Sequence, residues 1–190
     1  MGPGIIIPLI LIAIVVPVSF AWAKKLKDAP AGIDEPPVAP AARLTSNALR
    51  ELATPPWRVV YEIAKDKLGG IEHVLIGPAG AFAVQTSMDP LPEVPEGDPE
   101  PRAVAEAAIT RGSLDDALRR CAISSERLLR VHWGAGASGS VDPVPGLTAV
   151  DGRSLQAWAT SLTAQELSPA QVDLAWQTVL TSIGRPDPLT

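Results

Sequence analysis

Apolar residues are concentrated at the start of the chain. From position 4 to position 23 the sequence reads GIIIPLILIAIVVPVSFAWA and contains no charged residue. A helix of about 20 residues is long enough to cross a hydrocarbon core of roughly 30 Å. We therefore predict a transmembrane anchor over residues 1–24, with Ile5 in its apolar run. Pro17 lies in the interior of this helix, where a missing N–H and a ring clash favour a kink.

Positive charge follows the apolar run and none precedes it. Lys24, Lys25 and Lys27 come directly after the run, and cationic residues mark the cytoplasmic side of a membrane helix. Trp22 suits an interfacial position beside them. We expect a single-pass protein of the inner cell membrane, with its N-terminus outside and the rest of the chain in the cytoplasm. The alternative is a cleaved signal peptide, although the basic segment that normally opens one is missing.

Proline-rich sequence separates this anchor from the remainder of the chain. The run DAPAGIDEPPVAPAA at 28–42 has little apolar bulk and is typical of an extended tether. We assign residues 25–43 to a juxtamembrane linker and residues 44–190 to a cytoplasmic domain. A second such stretch, MDPLPEVPEGDPE at 88–100, predicts an acidic surface loop inside that domain.

Within the domain, short apolar runs alternate with segments of helical periodicity. Strands are predicted at 57–63, 71–76, 81–86, 128–133 and 147–150. Such an order indicates an α/β or α+β fold in which helices flank a mixed sheet.

The helices are located by their capping residues. We predict helix starts at residues 45–47, Asp151 and Ser168, and a helical segment over 101–127 in which Ser113 can cap, because short polar side chains satisfy the free N–H groups of a first turn. Ser168 carries the fullest signal, since Pro169 and Gln171 complete a capping box. Gly184 predicts the end of that last helix.

The composition of the chain limits the partners and ligands that we expect. The net charge of −5 and the absence of a basic patch argue against nucleic acid as a partner. Cys121 is the single cysteine, so no internal disulfide forms. His73 and His132 have no histidine or cysteine at ligand spacing. We expect no metal and no cofactor.

The stretch GGIEHVLIGPAGAFAVQTS at 69–87 has two apolar runs joined by a Gly-Pro-Ala-Gly turn. With the surrounding order of elements, over roughly residues 44 to 183, it resembles the nuclease-related domain family, a branch of the restriction-endonuclease-like fold with a PD-(D/E)xK site. The resemblance implies a mixed-sheet domain flanked by helices.

The chemistry of that family is missing from this stretch. Glu72 stands at the first carboxylate position, Gln85 replaces the second, and Ser87 replaces the lysine. Glu51, on the first helix, matches a further acidic position of the family. Hydrolysis of this kind needs carboxylates that converge on Mg²⁺. The resemblance therefore implies a pseudoenzyme with a vestigial site and no catalytic residues.

A glycine pattern offers a second motif. Residues 134–139, GAGASG, spell G-x-G-x-x-G directly after a predicted strand, as in a dinucleotide-binding turn. That turn must open a helix, whereas Pro143 and Pro145 follow here. We predict a loop without a nucleotide.

These patterns favour a non-catalytic accessory or assembly subunit of a larger membrane complex. The composition and the degenerate site resemble those of small accessory subunits of respiratory oxidase assemblies. We expect the chain to contact integral membrane subunits through its transmembrane helix and linker. We also expect it to contact the lipid bilayer. Two alternatives stay open: a membrane-tethered Mg²⁺-dependent nuclease with an atypical site, and a sensor that binds a small ligand in the vacated cleft.

Overall fold

The computed structural model describes residues 40–64, 66–93 and 99–184. The predicted anchor lies outside these ranges, with its named residues Ile5, Pro17, Trp22, Lys24, Lys25 and Lys27. Within the described ranges, no helix is both long enough and apolar enough to cross a bilayer. The described parts of the acidic loop, 88–93 and 99–100, contain no helix or strand.

A six-stranded mixed sheet forms the centre of the domain, in the order β1-β2-β3-β4-β6-β5. The strands are β1 (Arg58–Val60), β2 (His73–Gly77), β3 (Gly80–Ser87), β4 (Ser125–His132), β5 (Ser140–Val144) and β6 (Leu147–Asp151). The first three strands are antiparallel neighbours, β3, β4 and β6 run parallel, and β5 returns antiparallel to β6. The predicted mixed α/β class is confirmed.

Helices cover both faces of this sheet. They are α1 (Pro40–Leu52), α2 (Pro101–Leu118), α3 (Leu155–Ser161) and α4 (Pro169–Ser182). α1 and α3 pack on one face, around a cluster that includes Phe82 and Leu129. α2 and α4 pack on the other, around a cluster that includes Leu114 and Leu128. Strands buried on both faces read as continuous apolar runs, which is why VLI and LL stand in the middle of β2 and β4.

The predicted hairpin of β2 and β3 is confirmed. β2 ends at Gly77 and β3 begins at Gly80, with φ of +121° at Gly80. Only glycine adopts this backbone conformation readily. β1 is shorter than the predicted strand at 57–63.

The sequence prediction missed β5. Pro143 lies within it, and a proline is normally evidence against a strand. β5 is at the edge of the sheet, where a residue without an N–H removes no ladder hydrogen bond on the open side.

One helix start was predicted wrongly, and one predicted cap is not a cap. α1 begins at Pro40 and not at residues 45–47, whereas α2 begins at Pro101, where the predicted helical segment 101–127 begins, and Ser113 does not cap it. Proline is well suited to the first position of a helix, because the N–H there has no partner within the helix. Ser113 lies inside α2, and its hydroxyl donates to the carbonyl oxygen of Ile109 at 3.4 Å.

The start of α4 is confirmed in detail. The Ser168 hydroxyl accepts from the Gln171 N–H at 3.4 Å, and Gln171 Oε1 accepts from the Ser168 N–H at 2.9 Å. The helix stops at Ser182, just before Gly184 with φ of +75°. Asp151 also caps, but it caps a short 3-10 turn ahead of α3 by accepting from the Arg153 N–H.

Candidate functional site

Glu72, Gln85 and Ser87 lie at one end of the sheet. The pairing of β2 with β3 begins at His73 and Val84, and just before it the Glu72 N–H donates to the Val84 carbonyl at 3.0 Å. Side chains alternate between the two faces of a strand, so Gln85 and Ser87 share a face, the one that packs on α2 and α4. The structure brings these positions together.

Glu51 does not join them. It lies on α1, whose Leu49 and Leu52 pack on the opposite face of the sheet. Its own side chain is exposed, and no hydrogen bond or ion pair links it to Glu72 among the described residues. α1 therefore supplies no second carboxylate to Glu72.

Gln85 and Ser87 hold neighbouring loops in place. Gln85 Nε2 donates to the Gly70 carbonyl at 3.5 Å, and its Oε1 accepts from Arg130 Nη2 at 3.4 Å. The Ser87 hydroxyl donates to Asp89 Oδ2 at 2.8 Å and accepts from the Asp89 N–H at 3.0 Å. At these two positions, an amide and a hydroxyl make structural hydrogen bonds.

Arg130 is the site residue that the sequence prediction missed. It stands beside Gln85 in the parallel register of β3 and β4, and its guanidinium stays positive at any physiological pH. A cation here opposes the binding of Mg²⁺, which needs anionic oxygens. The sequence did contain one signal for Arg130, because it is a single charged residue inside the apolar run LLRVHW.

Glu72 is left as an isolated carboxylate. Its Oε2 is buried and has no hydrogen-bond partner among the described residues. Across the part of the chain that the structure describes, no group of three histidine, cysteine, aspartate or glutamate side chains could hold a metal ion. The arrangement lacks the converging carboxylates on which metal-dependent hydrolysis depends.

Ser87, His132 and Asp151 occupy neighbouring register positions at the carboxyl ends of β3, β4 and β6. These are the residue types of a hydrolytic triad, but their hydrogen bonds lead elsewhere. Ser87 bonds Asp89, and His132 Nδ1 lies 3.2 Å from the Asp89 carbonyl oxygen. The Asp151 carboxylate accepts from Arg153 Nε at 2.9 Å. No relay joins the serine to the histidine.

Asp151 is almost fully buried, with 1% of its surface exposed. Burial alone would raise its pKa, but the hydrogen bonds and charge of Arg153 outweigh burial and hold the pKa below its ordinary value. The carboxylate is therefore ionised and committed to capping. It is not available as a general base.

The glycine-rich segment 134–139 crosses the same end of the sheet as a loop, as predicted. The Gly134 N–H donates to the Asp89 carbonyl at 3.2 Å. A Cβ at Gly134 would collide with the backbone of Asp89 and Pro90. β5 follows this loop where a dinucleotide-binding turn needs a helix. Gly134 therefore allows two backbone segments to approach each other.

Gly134→Ala is expected to destabilise the domain by about 1–3 kcal/mol, because the added methyl must displace backbone atoms. Gly112→Ala is the matched control, since a Cβ there has no neighbour within 4 Å inside α2. It should stabilise by about 0.5–1 kcal/mol through helix propensity. Urea unfolding of both variants measures the difference. Equal effects of the two substitutions would contradict the packing role of Gly134.

Comparison with known proteins does not assign the chain to a family. It matches no protein-family model, no curated protein and no solved structure at a significant level. The resemblance to nuclease-related domains therefore depends on residues 69–87 and on the order of the elements.

Proposed function

We propose that this chain is a non-catalytic, single-pass accessory subunit of a larger membrane protein complex, with a respiratory oxidase assembly as the first partner to test. In this proposal the domain is a degenerate restriction-endonuclease-like fold that serves binding. The observation that carries the proposal is the contact of Arg130 with Gln85, at the centre of the vestigial site.

That contact bears directly on catalysis. Mg²⁺-dependent phosphodiester hydrolysis requires two or more carboxylates around the ion and a nearby lysine to assist. The vestigial site has Glu72 as its carboxylate, a neutral amide at Gln85 and a guanidinium within 3.4 Å of that amide. Such a charge pattern disfavours the metal, and without the metal no hydroxide is generated for the attack. Binding without chemistry is the function that fits it best.

The membrane part of the proposal is supported by the uncharged run at 4–23 and the three lysines at 24, 25 and 27. A helix kinked at Pro17 presents an irregular surface, which is better satisfied against partner helices than against lipid alone. We place the contacts with integral membrane subunits on this helix and on the linker that follows it.

The full-length tagged chain, purified from membranes of its native cells in mild detergent, is expected to bring integral membrane subunits with it in fixed stoichiometry. Mass spectrometry identifies them. A chain that begins at residue 25 is the matched control and should lose these subunits if the anchor makes the contact. Recovery of the full chain as a free monomer would overturn the proposal.

The same purified material should leave DNA intact in the presence of Mg²⁺ or Mn²⁺. Cleavage that is abolished in Glu72→Ala but kept in Glu51→Ala would show an active site and contradict a non-catalytic role. Glu51→Ala removes the same charge from an exposed position on α1, so it controls for the purification and for the change of net charge.

A further inference from the structure

A polar cleft lies on the face of the sheet that α1 and α3 cover. Its volume is about 460 Å³, within the range of roughly 300–1,000 Å³ that is typical of small-molecule sites. The amino-terminal half of β4, the strands β5 and β6, and the segment after α3 form its walls. Gln85 and Ser87 are on the other face.

Two carboxyl groups line this cleft, Glu126 from β4 and Glu166 from the segment after α3. Burial raises the pKa of Glu126, and the adjacent Glu166 raises it further, while the charges of Arg127 and Arg111 lower it by less. Two adjacent carboxylates repel each other, and a cation between them would relieve that repulsion.

The position of Glu166 is fixed by its backbone. Its N–H donates to the Pro78 carbonyl at 2.8 Å, in the turn between β2 and β3, and the next N–H, of Leu167, donates to the same oxygen at 2.9 Å. On the opposite side, a Cβ at Gly80 would collide with the Glu126 side chain. The hairpin turn therefore holds both carboxyl groups at the cleft.

The other charges of the cleft are already paired. Arg127 Nη1 donates to Asp142 Oδ2 at 2.6 Å, and the Thr148 hydroxyl donates to Asp142 Oδ1 at 2.7 Å. Neither Glu126 nor Glu166 forms a salt bridge with a described residue. The described residues therefore leave the glutamate pair without a salt bridge, although the charges of Arg127 and Arg111 act on Glu126 from nearby.

Aromatic rings complete the lining. Phe82 and Trp158 both face the cleft, and they meet edge to face with centroids 5.5 Å apart. An indole beside carboxylates suits an organic cation, which gains from charge-assisted hydrogen bonds and from the ring together.

We propose that this cleft binds an organic cation, an alkylammonium or guanidinium group, held between Glu126 and Glu166 and lying against Trp158. This inference is independent of the accessory-subunit proposal. The cation comes either from a free amine or from a lysine or arginine side chain of a partner protein. Binding places a positive charge beside the pair, which favours the ionised form of Glu126.

Isothermal titration of the full-length chain in detergent tests this inference. Cadaverine is the probe for a free amine, and the peptide acetyl-Gly-Arg-Gly-amide is the probe for a partner side chain. Saturable binding of at least one of the two probes is expected. Glu126→Gln and Glu166→Gln should each weaken binding by about tenfold, since each removes a charged hydrogen-bond acceptor worth roughly 1.5 kcal/mol or more.

Asp116→Asn is the matched control, because it removes the same charge from an exposed pair with Arg119 on α2. Tighter binding of cadaverine identifies a free amine as the ligand class, and tighter binding of the peptide identifies a protein side chain. Absence of binding for both probes at about 10 mM, a concentration that detects even millimolar affinity, would overturn the inference. Equal weakening in Asp116→Asn and Glu126→Gln would also overturn it, since the effect would then follow net charge.

Discussion

Leu128→Ala and Leu129→Ala are each expected to lower the free energy of unfolding by about 2–5 kcal/mol. The two residues are neighbours on β4, and both are 0% exposed. Leu128 packs in the cluster under α2 and α4, whereas Leu129 packs in the cluster under α1 and α3. Each truncation leaves a cavity, because a close-packed interior relaxes only in part.

The informative result is that the two variants lose equal amounts of unfolding free energy. A sheet with one solvated face would lose much less from the residue on that face, so the pair measures burial on both sides of β4. Leu174→Ala is the control, since this leucine of α4 is 47% exposed and its truncation should change stability by about 0.5 kcal/mol or less. A small loss at either Leu128 or Leu129 in chemical unfolding would contradict the three-layer arrangement.

The parts of the fold that were predictable from sequence are those that local chemistry determines. The Gly77–Gly80 turn has its proline and glycine at the positions that a tight turn favours, and Ser168 with Gln171 forms a capping box within four residues. Both features are confirmed because no distant contact competes with them.

Distant contacts explain the errors. Thr45 was predicted to cap α1, but it is 0% exposed inside the helix and its hydroxyl accepts from Trp133 Nε1 at 2.8 Å. Thr86 donates to the same hydroxyl at 3.0 Å. Local rules would place such a polar residue at the end of a helix. Here hydrogen bonds with residues 41 and 88 positions away keep it inside the helix.

Distance along the chain also explains why one site could be predicted from the sequence and the other could not. Glu72, Gln85 and Ser87 lie within one hairpin, so their proximity follows from a turn that the sequence reveals. Glu126 and Glu166 are 40 residues apart and meet only because the segment after α3 bonds to Pro78. No periodicity or motif in the sequence indicates that contact.

His73 should make the stability of the domain depend on pH, with a loss of stability as the pH falls. Burial lowers its pKa to about 4, against roughly 6.5 in an unfolded chain. Its side chain is 1% exposed, and its Nδ1 accepts from the Glu62 N–H at 3.1 Å. Protonation of Nδ1 would break that bond and bury a charge.

The sign of the effect follows from proton uptake. As the pH falls below about 6.5, the unfolded chain binds a proton at this position and the folded chain does not, so stability decreases. Neutral His73 makes its full contribution to the free energy of unfolding above about pH 7. This contribution is lost progressively as the pH falls to about 4, and the total loss is at most roughly 3 kcal/mol. Urea unfolding at intervals across this range measures the slope.

His73→Asn keeps an acceptor for the Glu62 N–H and removes the titration. The difference in unfolding free energy between this variant and the natural chain should shrink as the pH falls from about 7 to about 4.5, because only the natural chain pays the cost of a neutral imidazole. The chain has two histidines, so the variant retains one imidazole signal in an NMR titration and identifies that of His73 by its loss. Parallel stability curves, or a His73 imidazole that titrates near its ordinary pKa, would show that the ring reaches solvent. The β2–β3 hairpin would then be open at the end where Glu72 lies, and Glu72 would be accessible from that side.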